Sequence, residues 1–225
     1  MTLQNTSGSI VEIVRNDRAI YDGNLIHYFR VLVKKARNLQ NPYHNFRHLG
    51  HVMWLCYRAC EYYADKLTMR ERRALLIAAL LHDFDHTGKS VPDSENIARA
   101  VMGLVENLLP EDQDIFFEIV RIIKATEYPY TVPESDLNLP CMIIRDADMS
   151  QSFSVAWIQQ TIFGLSEEWG KPPLEVLKIQ KPFHEKLRFL TDWARKEFPQ
   201  EVIDRKIAEA EELVNLLSDP AVPAA

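Results

Sequence analysis

Residues 68–88 read TMRERRALLIAALLHDFDHTG. Thr68-Met69-Arg70-Glu71 has the form of a capping box, in which the threonine hydroxyl and the glutamate carboxylate satisfy backbone N–H groups and open a helix. The run LLIAALL (75–81) has no polar face, so this helix belongs at the centre of a fold. It is also far shorter than the ~20 apolar residues that a membrane span needs. The helix ends on His82-Asp83. Burying such a pair is costly without a compensating partner, and a divalent cation is the simplest one.

The rest of the chain repeats the 3.6-residue period. Residues 24–38 place Leu25, Tyr28, Phe29, Leu32 and Val33 on one stripe. Asp93 after Pro92 is the expected N-cap of SENIARAVMGLVENLL, with Pro110 closing that element. The three acids of EDQDIFFEIVRIIKAT suit the positive end of a helix. FSVAWIQQTIFGLSEEW is expected to end at Gly170, and the stretch from Pro173 to kink or break at Pro182. A last helix is expected over about 199–217 with a frayed tail at 218–225. EYPYTVPESDLNLP (127–140) reads as a surface loop, and no alternating strand pattern is present. The expectation is one all-α domain over residues 1–225.

Composition bounds the function. Of 225 residues, 47% are hydrophobic and 26% charged, as in ordinary globular chains, so disorder is excluded. The net charge of −6 argues against broad nucleic-acid binding, though not against a small anionic ligand beside local positive charge. Cys56, Cys60 and Cys141 form neither an even framework nor CxxC, which suits a reducing cytoplasm. The start MTLQNTSGSI lacks the features of a signal peptide. Neither a membrane nor a nucleic acid is an expected partner, and nothing indicates or excludes a homodimer.

Five of the 7 histidines, His44, His48, His51, His82 and His86, fall in two clusters, YHNFRHLGH (43–51) and LHDFDHTG (81–88). His44/His48 and His82/His86 are four apart and share a face where the chain is helical. A further carboxylate is available in IIRDADMSQ (143–151), where a helix lets only one of Asp146 and Asp148 point inward.

H…HD…D in an all-α chain resembles the HD-domain metal-dependent phosphohydrolases. Tyr43-His44-Asn45-x-x-His48 and His82-Asp83-Phe84-Asp85-His86-Thr87-Gly88 are similar to the signature of class I cyclic nucleotide phosphodiesterases. Asp93-Ser94-Glu95, Ala125-Thr126-Glu127, Ala147-Asp148-Met149-Ser150 and Gln180-Lys181-Pro182-Phe183 resemble later motifs of that family in order, so the matches span 43–183.

The resemblance implies a compact multi-helix HD fold and two divalent ions. One is zinc or another transition ion held by His48, His82, Asp83 and Asp148; Asp83 bridges to a magnesium or manganese ion. It implies a hydroxide between the ions that attacks a 3′,5′-cyclic nucleotide (cAMP or cGMP), giving a 5′-monophosphate. His44 is then the general acid, Glu127 orients it or a metal water, and His86 contacts the hydroxide. Glu95 and Thr126 hold metal waters, and Tyr43, Gln180 and Phe183 bind the substrate, the last two taking the base by hydrogen bonding and stacking.

The chain departs from the family at His51, Thr87 and Gln151, and lacks most of the family's N-terminal helices. Three other readings stay open: an HD hydrolase of nucleoside mono- or polyphosphates, a di-iron oxygenase on the same fold, and a non-catalytic nucleotide sensor.

Overall fold

The structure, a computed structural model, describes residues 9–218. Residues 1–8 and 219–225 lie outside the described residues, and with them the expected frayed tail of 218–225 apart from Ser218, which ends the last helix. The helices are α1 (Ile10–Arg15), α2 (Ile26–Lys35), α3 (Phe46–Tyr62), α4 (Met69–Leu81), α5 (Asp93–Asn107), α6 (Phe116–Lys124), α7 (Leu139–Met149), α8 (Gly164–Trp169), α9 (Pro173–Lys178), α10 (Gln180–Lys186), α11 (Asp192–Glu197) and α12 (Gln200–Ser218). No strand occurs among the described residues. The protein is all-α.

The capping box opens α4 as expected: Glu71 N–H donates to Thr68 Oγ1, and Thr68 N–H to the Glu71 carboxylate. Every residue from Arg72 to Leu81 is buried, and α4 packs on α2, α3, α6 and α7. Two arginines lie inside this core, which the apolar run does not foretell. Arg72 donates to the carbonyls of Leu67, Ile20 and Ala64. Arg73 forks onto the fully buried Asp112 through two 2.6 Å bonds, and Tyr28 O–H donates to the same carboxylate. Pairing of this kind is what lets a charge stay in an apolar centre.

A second, smaller apolar cluster joins Trp157, Ile162, Val176, Leu177 and Ala210, from the π turn Ile158–Phe163 and helices α9 and α12. Gly164 starts α8 against residue 42. A Cβ there would stand 2.7 Å from the Pro42 carbonyl oxygen, so only glycine permits this approach. Gly170 ends α8 in the left-handed conformation, φ 61°, as expected.

Several local expectations need correction. Val33 is exposed, because α2 buries a narrower stripe of Tyr28, Val31 and Leu32. Asp93 is the first residue of α5 rather than its cap, and its carboxylate accepts from Tyr128 N–H and Asn96 Nδ2 instead. The acids at 111, 112 and 114 fall in a 3-10 turn, Pro110–Ile115, where Asp112 turns inward to Arg73. The break near Pro182 comes at Ile179; Pro182 lies in the first turn of α10, where a missing N–H costs nothing. The loop from 127 ends at Asn138, which caps α7 through Cys141 N–H.

Candidate metal centre and its acid

Four donors converge from three helices. Asn45 Oδ1 accepts the N–H groups of Arg47 and His48 and so starts α3, placing His48 in its first turn. His82 caps the C-terminus of α4; its Nδ1 lies 3.1 Å from the Ala79 carbonyl, a donor position that leaves Nε2 as the free lone pair. Asp83 follows in a tight turn whose Asp85 is left-handed, φ 59°. That turn is anchored by the Arg37 N–H and guanidinium on the Asp85 carboxylate and by Asp85 N–H on Asn38 Oδ1. Asp148 comes from the last turn of α7.

The distances suit a cation. His48 Nε2 stands 3.0 Å from Asp148 Oδ1, 3.3 Å from Asp83 Oδ2 and 3.4 Å from His82 Nε2. His82 Nε2 stands 3.3 Å from Asp83 Oδ2 and 3.7 Å from Asp148 Oδ1. Donors held about 2.1 Å from one ion stand ~3.0 Å apart at right angles and ~3.4 Å apart at tetrahedral angles. Asp83 Oδ2 and His48 Nδ1 are buried without a hydrogen-bond partner. Burial opposes charge on His48, yet the close carboxylates of Asp148 and Asp83 push it up to about 10. The same pairing holds both carboxylates below their usual range against the cost of burial. The centre therefore favours positive charge: His48, His82 and Asp148 lie close enough together to share one divalent transition ion, and Asp83 faces both imidazoles beside them.

Asp146, the other acid of its motif, faces away from this centre. Its carboxylate accepts from Leu190 N–H, Thr191 N–H and Thr191 O–H. Two residues of helix turn it by about 200°, so only one of the pair can face the imidazoles.

His44 lies just before α3, so its spacing from His48 is made by a turn rather than a helix face. His86 likewise sits in the turn beyond α4. The two rings stack with centroids 3.6 Å apart. Gly88 N–H donates to His86 Nδ1, and burial, followed by the repulsion of His44, pushes His86 down to about 4, so this ring is neutral. His44 Nδ1 lies 2.6 Å from Glu168 Oε2, while Glu168 Oε1 accepts the N–H groups of Tyr43 and His44 at 2.9 Å each. Burial raises Glu168, but these contacts outweigh it and hold the carboxyl below its ordinary value.

A cavity of about 500 Å³ opens beside these groups. Tyr43, His44, Asp83, His86 and Asp148 line it, together with Thr126, Gln180 and Phe183. Gln180 is buried and its amide sense is set: Trp157 Nε1–H donates to Oε1, and Nε2 donates to the Val176 carbonyl. One N–H and one lone pair of that amide remain for a ligand.

Two expected residues stay outside. Glu95 is exposed and pairs with Arg99; the inward residue of that helical turn is its neighbour Asn96, which accepts the Thr87 N–H and O–H. The Glu127 carboxylate accepts Thr131 O–H, and the carboxylate that lies against His44 is that of Glu168. Glu168 belongs to no motif. Only the helical spacing of Gly164 and Glu168, four apart on one face, hints that they turn together towards residues 42–44.

Residues 43–91 match the family model described as 3'5'-cyclic nucleotide phosphodiesterase. This segment is class I phosphodiesterase-like. The phosphodiesterase-like segment holds His44, His48, His82, Asp83 and His86, on an all-α fold consistent with the HD-domain superfamily. Asp148, Glu168, Gln180 and Phe183 lie beyond it. The comparison with curated proteins gives no match. Among the described residues no helix is long and apolar enough to cross a membrane, and the three cysteines are buried and unpaired.

Proposed function

We propose that the protein is a metal-dependent phosphodiesterase that opens 3′,5′-cyclic nucleotides to 5′-monophosphates. The observation that carries the reading is the approach of Asp83 and Asp148 to the His48 and His82 imidazoles, at 3.0–3.7 Å, beside a histidine gripped by a buried carboxylate. Divalent ions held by those four donors, with Asp83 reaching a second ion, would supply an activated water and neutralise phosphate charge.

The chain's own residues do the rest. His44 gives Nδ1 to Glu168, which leaves Nε2 to deliver a proton to the departing ribose oxygen. Glu168 keeps that ring in one tautomer and one orientation. His86, neutral and stacked on His44, holds the ring plane without competing for the proton. Gln180 offers one donor and one acceptor to a base edge, and Phe183 a face on which the base can stack.

Metal-loaded protein incubated with cAMP, cGMP and the 5′-nucleotides tests this. The expected product is a 5′-monophosphate from a cyclic substrate. Orthophosphate from a 5′-nucleotide, with the cyclic substrates untouched, overturns the reading. One observation favours that second reading, a hydrolase of nucleoside mono- or polyphosphates. Lys89 and Lys186, both exposed, line the cavity, and neither forms an ion pair among the described residues.

A further inference from the structure

Gln160 lies outside every motif considered above, yet it is buried in the π turn Ile158–Phe163. Its Nε2 donates to the Tyr43 carbonyl at 2.8 Å and to Asn45 Oδ1 at 3.2 Å. The amide sense is fixed, because a carbonyl can only accept and Asn45 Oδ1 already accepts two backbone N–H groups. The Tyr43–His44 peptide is thereby held at both ends. Gln160 takes its carbonyl, and Glu168 Oε1 takes its N–H at 2.9 Å. A planar peptide clamped on both sides has no freedom to rotate, so the direction in which His44 leaves the backbone is set.

The π turn makes this contact available. Gln160, Thr161 and Ile162 are consecutive and all buried, which a regular helix packed on one face does not ordinarily allow. The turn begins immediately after Trp157, whose indole N–H holds Gln180. The element that grips the His44 peptide is therefore continuous with the wall of the cavity that carries Gln180.

We propose that Gln160 is a positioning residue for proton delivery by His44, an inference that rests on the function proposed above. It predicts an effect confined to substrates whose leaving group needs a proton. Gln160→Met keeps the side-chain length and loses the donor; Gln160→Ala removes both. For each, kcat and KM are measured on a 3′,5′-cyclic nucleotide and on a nitrophenyl phosphodiester, whose leaving group departs unprotonated. Amide exchange of His44 is measured in the same proteins without metal.

The expected result is a loss of about tenfold in kcat on the cyclic substrate, KM within about twofold, and an unchanged rate on the nitrophenyl ester. The His44 amide is expected to exchange about tenfold faster. Equal losses on both substrates, no loss on either, or unchanged exchange at His44 overturns the assignment. Should Gln160→Ala fail to fold, the methionine variant decides. Wild-type protein that hydrolyses the nitrophenyl ester but no cyclic nucleotide overturns the proposed function, and the inference with it.

Discussion

The two walls of the cavity are built differently. The donor wall comes from α3, α4 and α7, whose helices form the larger apolar core. The facing wall comes from the π turn, α8 and α10, short elements around the smaller cluster of Trp157, Ile162, Val176, Leu177 and Ala210. On the donor wall the chemistry needs particular side chains at particular points, and long buried helices supply that precision. On the facing wall the same end is reached by hydrogen bonds from Gln160 and Glu168 onto one peptide. A site can thus take its reactive groups from one region and their orientation from another.

Removing a donor should break the first wall outright. Asp83→Ala is expected to lose bound metal and at least about 10³-fold in kcat/KM, since it faces both imidazoles. Elemental analysis beside kinetics checks this, and full metal stoichiometry in the variant contradicts it. His44→Ala should separate chemistry from binding: metal is retained while kcat falls about 10²- to 10⁴-fold. Metal loss in that variant would place His44 among the ligands instead.

The donor wall was legible because its residues come as tight patterns beside an unusual apolar run. His82-Asp83 ends LLIAALL, and the buried start of α3 follows from Asn45 as a cap. Asp148 over Asp146 required the family resemblance; the structure supplies the physical reason in the three bonds that hold Asp146 to residues 190–191. The facing wall was not legible. Glu168 sits beside the exposed Glu167 with no motif to separate them, and its partner is 124 residues away. Glu127, in the Ala125-Thr126-Glu127 motif, instead accepts Thr131 O–H, a local contact that no spacing rule foresees.

Two smaller effects probe the facing wall. Glu168→Gln keeps the shape but removes the charge, and should cost about 10- to 100-fold in kcat with metal content unchanged. Gly164→Ala forces a Cβ to 2.7 Å from the Pro42 carbonyl, so α8 must back away; about 1–3 kcal/mol of stability should be lost, read as a lower Tm. An unchanged Tm would mean that the approach of α8 to residue 42 is not close in solution.

The least effect concerns pH. Burial pushes His184 down to about 4, its Nδ1 lying 2.7 Å from the Gln180 carbonyl and its Nε2 2.9 Å from Ser152 Oγ. Because the folded value lies below the unfolded one, its contribution is present above pH ~6.5 and fades as pH falls towards 4. Tm measured from pH 7 to 4 should therefore fall less steeply in His184→Gln than in the wild type, and identical slopes would contradict the assignment.

The central claim is that the four-donor centre and the Glu168-held His44 open a cyclic phosphodiester. Phosphorus NMR of the protein loaded with diamagnetic zinc and magnesium, with a 3′,5′-cyclic nucleotide in heavy-oxygen water, tests it most directly. The account predicts a 5′-monophosphate carrying one heavy oxygen on phosphorus. A 3′-monophosphate, orthophosphate alone, or an unconsumed cyclic substrate would contradict it.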